Sequence, residues 1–144
     1  EVKIPPGVND GARIRLRGQG QPGRGEPGDL YIKVNVRPHA YFRREGDDIF
    51  IEVPIGVSEA CLGARVDVPT IDGNTTVTIP PCTSSAKRLR LRGKGVARAG
   101  GERGDQYIEV RIVAPESLSP KAQELMKEFA QQQPYDPRKD APWR

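Results

Sequence analysis

Residues 2–20 read VKIPPGVNDGARIRLRGQG, and residues 77–95 read VTIPPCTSSAKRLRLRGKG. At an offset of 75, ten of these nineteen positions are identical. Further along, GDLYIKVNV at 28–36 matches GDQYIEVRI at 104–112 at an offset of 76. Two blocks repeated in the same order mean two copies of one module. The second copy runs from about 41 to 115, and the first begins at what corresponds to Val77. Three segments follow: 1–38, the second half of a first β-domain; 39–115, a second β-domain; and 116–144, a helix with an extended tail.

Within each copy the period is two, the signature of strands. Arg13, Arg15 and Arg17 alternate with Ile14 and Leu16, and Arg88, Arg90 and Arg92 alternate with Leu89 and Leu91. Successive strand side chains point to opposite faces, so each run has an apolar inner face and an arginine outer face. Leu30, Ile32, Val34 and Val36 share a face in the same way, as do Ile49, Ile51 and Val53. Asp72-Gly73 between two β-type runs predicts a hairpin centred on that pair with both residues at positive φ. Pro5-Pro6 and Pro80-Pro81 are expected to end strands, since proline cannot donate to a ladder. The fold class is mainly β: two tandem small sandwich modules, the first truncated at its N-terminus, plus one C-terminal helix.

That helix has its own signals. Ser119 is a plausible N-cap and Pro120 suits the first helical position. Ala122, Leu125, Met126, Phe129 and Ala130 then make a single apolar stripe over about 13 residues, ending near Gln133-Pro134. The stripe can pack on the adjacent module or on a second subunit.

Composition bounds the rest. Gly 16 and Pro 14 in 144 residues are too many for a helical bundle and lack the collagen period. No apolar run nears the ~18 residues of a spanning helix, which excludes a transmembrane class. The chain starts at Glu1 and reads as a piece of a longer protein. Cys61, Cys82 and the single His39 cannot make a structural zinc site; one disulfide is open to the pair, and two reduced thiols in a cytosolic protein are the expected state. A net charge of +4 permits acidic partners without demanding them.

Several apparent motifs lack their context. Gly18-x-Gly20-x-x-Gly23 spells a dinucleotide fingerprint, but Pro22, Pro27 and a strand follow where a helix is required. Arg103-Gly104-Asp105 spells an adhesion tripeptide, yet copy one has Pro27-Gly28-Asp29 there, so the shared Gly-Asp is expected to shape the start of the next strand. Asp47-Asp48 reads as a loop acid pair that solvates itself. No residue is poised beside an oriented base, so neither an enzyme nor a cofactor nor a metal is expected. The arginine rows read either as solvated faces or as a surface for acidic tails or phosphates.

In combination, VKIPPGVNDGARIRLRGQG, GDLYIKV, RPHAYFRREGDDIFIEVPI, Ala60-Cys61-Leu62-Gly63, VPTIDG, KRLRLRGKG and GDQYIEV resemble the C-terminal half of the DnaJ (Hsp40) co-chaperones. The tail Pro134-Tyr135-Asp136-Pro137-Arg138-Lys139 further resembles the curved-DNA-binding protein A subgroup. The resemblance implies tandem β-sandwich domains that capture unfolded client segments, a C-terminal dimerisation segment, and partnership with Hsp70. It assigns client contact to Val2, Ile4, Leu30 and Ile32, with strand addition as the physical mode. Arg13, Arg15 and Arg17 are candidates for the acidic Hsp70 tail or for phosphates, and Leu125, Met126, Phe129 and Tyr135 for the homodimer contact. Other readings are a nucleic-acid-associated protein that uses its arginine rows on DNA, and a plain dimerisation module. Family members often have Gly where Cys82 stands, as copy one has Gly7, so the cysteine argues against a positive φ in that turn.

Overall fold

A computed structural model describes residues 1–144. The chain divides into two compact units, Glu1–Val113 and Ala114–Arg144. Both repeat copies lie in the first. Its eight strands are β1 Arg13–Leu16, β2 Leu30–Lys33, β3 Arg43–Glu45, β4 Asp48–Gly56, β5 Ala64–Thr70, β6 Gly73–Ile79, β7 Arg88–Leu91 and β8 Gln106–Val113, with helix α1 (Val57–Leu62) between β4 and β5. The second unit holds helix α2, Pro120–Gln132. Neither helix is long and apolar enough to cross a membrane.

Copy two is complete. A four-stranded sheet runs β3-β4-β8-β7, in which β4 and β8 pair in parallel and the other pairs are antiparallel. The β5-β6 hairpin forms a second sheet. Inward side chains of both sheets and of α1 make one core: Ile51, Ile55, Ala60, Val68, Val77, Ile79, Ile108 and Val110. Each fully buried Ile or Val there is worth roughly 1.5–3 kcal/mol of transfer free energy.

Copy one is a two-stranded antiparallel ribbon, β1-β2, and no residue of 1–38 is buried. The β1-β2 register repeats that of β7-β8: Ile14 faces Ile32 as Leu89 faces Ile108, and Arg15 faces Tyr31 as Arg90 faces Tyr107. The hydrogen bonds at the ribbon's open end repeat as well. The Gly11 N–H donates to the Val34 carbonyl as the Ala86 N–H donates to that of Val110, both at 2.8 Å. Ala86 holds φ +68 where Gly11 holds +79.

Four expectations are corrected by this structure. Residues 2–4 form no strand ahead of Pro5-Pro6, although Val77–Ile79 does so ahead of Pro80-Pro81. The copy-two segment is strand because β5 pairs with it, and residues 2–4 have no such partner. The 70–73 hairpin turns through Ile71 and Asp72, with Gly73 at φ +113 already paired to Thr70, and Asp72 does not reach positive φ. The Thr70 hydroxyl fixes this turn, donating to the Gly73 carbonyl at 2.6 Å and accepting from the Asp72 N–H at 3.1 Å. Cys82 takes φ +56, so the cysteine does not exclude the left-handed conformation. There its N–H and that of Thr83 donate to the Cys61 and Ala60 carbonyls at 3.1 and 2.9 Å, covering carbonyls that the end of α1 leaves unpaired.

The fourth concerns Asp47 and Asp48, which do not solvate themselves. Arg98 Nε donates to Asp47 at 2.6 Å, and the Asp105 N–H donates to Asp48 at 2.9 Å. Helix α1 itself had no periodic signal, being six residues long. Glu59 supports it by accepting from the Gly56 N–H at 2.9 Å.

In the second unit the expected bounds hold. Ser119 Oγ accepts from the Ala122 N–H at 3.1 Å, Pro120 opens the helix, and Gln133 closes it. No residue of α2 is buried.

Candidate functional site

The repeated Gly-Asp pair organises each ribbon. Asp29 accepts from the Gly18 N–H at 3.1 Å and from Arg15 Nε at 2.6 Å. Asp105 does the same with Gly93 at 2.9 Å and Arg90 at 2.7 Å. One carboxylate thereby ties the loop after the first strand to that strand's central arginine. The backbone N–H first and the guanidinium second hold both carboxyls below the usual aspartate range. The third member of the tripeptide, Arg103, is bound to Asp72 at 2.9 Å and to the Gly95 carbonyl at 3.1 Å.

The outer faces of the two ribbons differ in charge. In copy two, Arg88 donates to Glu109 at 3.1 Å across the ladder, and Arg43 reaches the same carboxylate at 3.2 Å. Both guanidinium groups lie 4.9 Å from the centroid of the Phe50 ring, which also stacks on Tyr107 at 5.2 Å. In copy one, Lys33 stands where Glu109 stands, directly opposite Arg13. Arg13, Lys33 and Arg17 have no carboxylate partner, and Tyr31 is 59% exposed. Of the predicted arginine row, then, Arg15 is committed to Asp29, while Arg13 and Arg17 are free. Lys33 was missed by sequence reasoning, though the substitution of Lys for Glu between the two GD-x-YI blocks was its signal.

The predicted client residues fall in two places. Leu30 and Ile32 lie on β2 opposite Leu16 and Ile14, and Leu30 is exposed while Ile32 is half-buried. Val2 and Ile4 are exposed and outside any strand. Their copy-two counterparts, Val77, Ile79, Gln106 and Ile108, are all buried. The difference has a physical cause: β8 is covered on one edge by β4, and β6 is paired to β5, whereas β2 pairs with β1 alone. In copy two the corresponding edge and face take β4 and the β5-β6 hairpin, and the counterparts of β4 and β5 in the repeat fall ahead of residue 1.

The junction between the copies was not foreseen. Arg44 donates to the carbonyls of Gly7 and Val8 at 2.8 and 2.9 Å and to Asn9 Oδ1 at 2.8 Å, clamping the first loop of copy one. Beside it lies a cleft of about 540 Å³ whose apolar lining includes Val36, Pro38, Phe42, Ile49 and Ile71.

In the second unit Met126, Phe129 and Tyr135 line one cavity of about 390 Å³ with Ala130, Gln133 and Pro134. Leu125 is exposed on α2 but does not line it. The tail folds on Asp136, which accepts from the Arg138 N–H at 3.0 Å and pairs with Arg144.

Two copies of one β unit followed by an unburied amphipathic helix define a repeat-built β protein that presents strands and charge. Residues 1–115 match the DnaJ C terminal domain, and the chain belongs to that family. It is similar to a protein named Curved DNA-binding protein from Coxiella burnetii (strain Dugway 5J108-111), 43% identical over 141 residues, covering 96% of this chain and 44% of the relative. It is also similar to proteins named Chaperone protein DnaJ. The one from Geobacillus kaustophilus is 48% identical over 131 residues, 89% of this chain and 34% of the relative. The one from Brevibacillus choshinensis is 47% identical over 133 residues, 90% and 36%. The chain spans less than half the length of these curated relatives.

Proposed function

We propose that the chain is the client-binding and dimerising part of a cytoplasmic, non-enzymatic co-chaperone that works with Hsp70. The observation carrying this reading is the match of residues 1–115 to the DnaJ C terminal domain, taken with the apolar face of the β1-β2 ribbon. Ile14, Leu16, Leu30 and Ile32 make that face, and Leu30 is exposed on it. An extended segment of an unfolded protein fills such a face with alternate side chains while its backbone pairs with a sheet edge. Val2 and Ile4 supply further exposed apolar surface. Leu125, Met126, Phe129 and Tyr135 form the dimer contact. Arg15 shapes the ribbon, and Arg13 and Arg17 meet an acidic partner, the Hsp70 tail or a phosphate chain.

A fluorescence-anisotropy titration with a labelled, extended apolar peptide tests the reading. Saturable binding that survives high salt and excess duplex DNA is expected, with Leu30→Asp and Ile32→Asp each weakening it at least tenfold. Binding unchanged in both variants sinks the assignment of the face.

A second reading, nucleic-acid association, is favoured by the cations Arg13, Lys33 and Arg17 of the β1-β2 ribbon and by the name of the Coxiella burnetii relative. It predicts binding that falls steeply with salt.

A further inference from the structure

We infer that Cys61 and Cys82 form a reversible internal disulfide, closed by a hydroperoxide and reopened by a dithiol, that staples α1 to the turn after β6. They are the only two cysteines of the chain, and they stand 21 residues apart. The fold of copy two brings them side by side. The Cys82 N–H donates to the Cys61 carbonyl at 3.1 Å, and Cys82 Sγ lies 3.8 Å from that same oxygen. The Thr83 N–H, donating to the Ala60 carbonyl at 2.9 Å, fixes the two segments in register. The covalent bonds joining each Cα to the first of these hydrogen bonds cap the Cα–Cα separation at about 7 Å. Disulfides span roughly 4.4–6.8 Å between Cα atoms, so side-chain rotation closes the bridge with little movement of the backbone.

Further observations favour this pair. Both cysteines are exposed, open to a small oxidant and to a reductant. No third His, Cys, Asp or Glu joins them in a group that could hold a metal ion. Cys82 also holds φ +56, backbone that a residue with a side chain takes only at a cost. Gly7 fills the same place in copy one without that cost. A cysteine held in left-handed backbone beside the other cysteine has a use there that glycine lacks. The step balances with one hydrogen peroxide. One thiol of the pair, as thiolate, attacks a peroxide oxygen; the O–O bond breaks, a sulfenic acid forms, and the first water leaves with the thiol proton. The second thiol attacks the sulfenic sulfur; the S–OH bond breaks, and the hydroxyl leaves as water with the second proton. The two thiols lose two electrons and the peroxide gains them. The bridge encloses residues 62–81, which hold the whole β5-β6 hairpin, and so restricts the unfolded chain.

Treatment of the full chain with hydrogen peroxide tests this. Both thiols should disappear together, the intact mass should fall by two hydrogens, and the melting temperature should rise by roughly 5–10 °C. Excess dithiothreitol should restore the thiols, the mass and the original melting temperature. Cys61→Ser and Cys82→Gly should each show neither the loss of two hydrogens nor the rise. Cys82→Gly puts a residue suited to left-handed backbone in the turn, so it serves as a folded control. A parent that gains oxygens in place of losing hydrogens, or that crosslinks only between chains, overturns the pairing. The same rise in either single variant overturns it as well. An internal disulfide that does not raise the melting temperature, or that dithiothreitol does not reopen, overturns the reversible staple.

Discussion

Cys82 and Gly7 occupy the same place in the repeat and the same region of backbone space, at φ +56 and +77. Their surroundings differ. Cys82 is exposed, with its thiol 3.8 Å from the Cys61 carbonyl. A Cβ added to Gly7 would lie 2.6 Å from the Ala97 carbonyl oxygen, which is backbone and cannot swing aside. Glycine is thus required at position 7 by close approach as well as by φ, whereas at 82 φ alone favours it and a cysteine is accommodated. Left-handed backbone costs a side-chain-bearing residue about 1–2 kcal/mol, and glycine gives back part of that in chain entropy. Cys82→Gly is therefore expected to change stability by less than about 1 kcal/mol. Gly7→Ala should cost on the order of 2–3 kcal/mol. Thermal melting of both variants checks this, and equal effects would contradict the packing argument.

At the scale of elements, what could be read from the sequence was whatever repeats or alternates. The RIRL and RLRL ribbons, the β4 core face and α2 with its Ser119 cap all follow from local pattern and are present. Features set by partners far away in sequence could not be read. Val2–Ile4 has the same residue types as Val77–Ile79, but strand formation depends on β5. The Arg44 clamp joins β3 to a loop 35 to 37 residues away in sequence. The free cations needed the ladder register before Arg13 could be set against Lys33. The carboxylate at the ribbon's turn yields a pH prediction. Asp105 is held below the ordinary aspartate value of about 3.9, so its contribution is fully present above that value and is lost as pH falls through the lower folded value. Asp105→Asn should therefore melt below the parent at pH 7. The gap should close as pH falls from about 4 through the lowered folded value. A gap that stays constant down to pH 2 would show that the charge on Asp105 contributes nothing. Asp29 should follow the same course in the chemical shifts of its carboxyl.

For the whole molecule, the proposed dimer matters because each client site is small. A short β2 edge of four residues offers few backbone hydrogen bonds, and its affinity for a single segment is modest. Two such edges in one assembly bind a client with two apolar segments as a chelate, and flexible linkage commonly raises avidity by 10²–10⁴ without any new contact. The α2 face supplies the means: Leu125, Met126 and Phe129 are each more than 40% exposed, and the cavity that Met126 and Phe129 border is also lined by Tyr135. Phe129→Lys places a charge in that apolar surface. It is expected to give a monomer by sedimentation velocity at micromolar concentration and to leave melting of the Glu1–Val113 unit unchanged. Its affinity for a single labelled apolar segment should match that of the parent. For two segments joined by a flexible linker it should be weaker by roughly a hundredfold. A persistent dimer would remove α2 from the contact. A monomer that still bound the double segment as tightly as the parent would mean that the two client segments meet on one chain, and that dimerisation serves some purpose other than avidity.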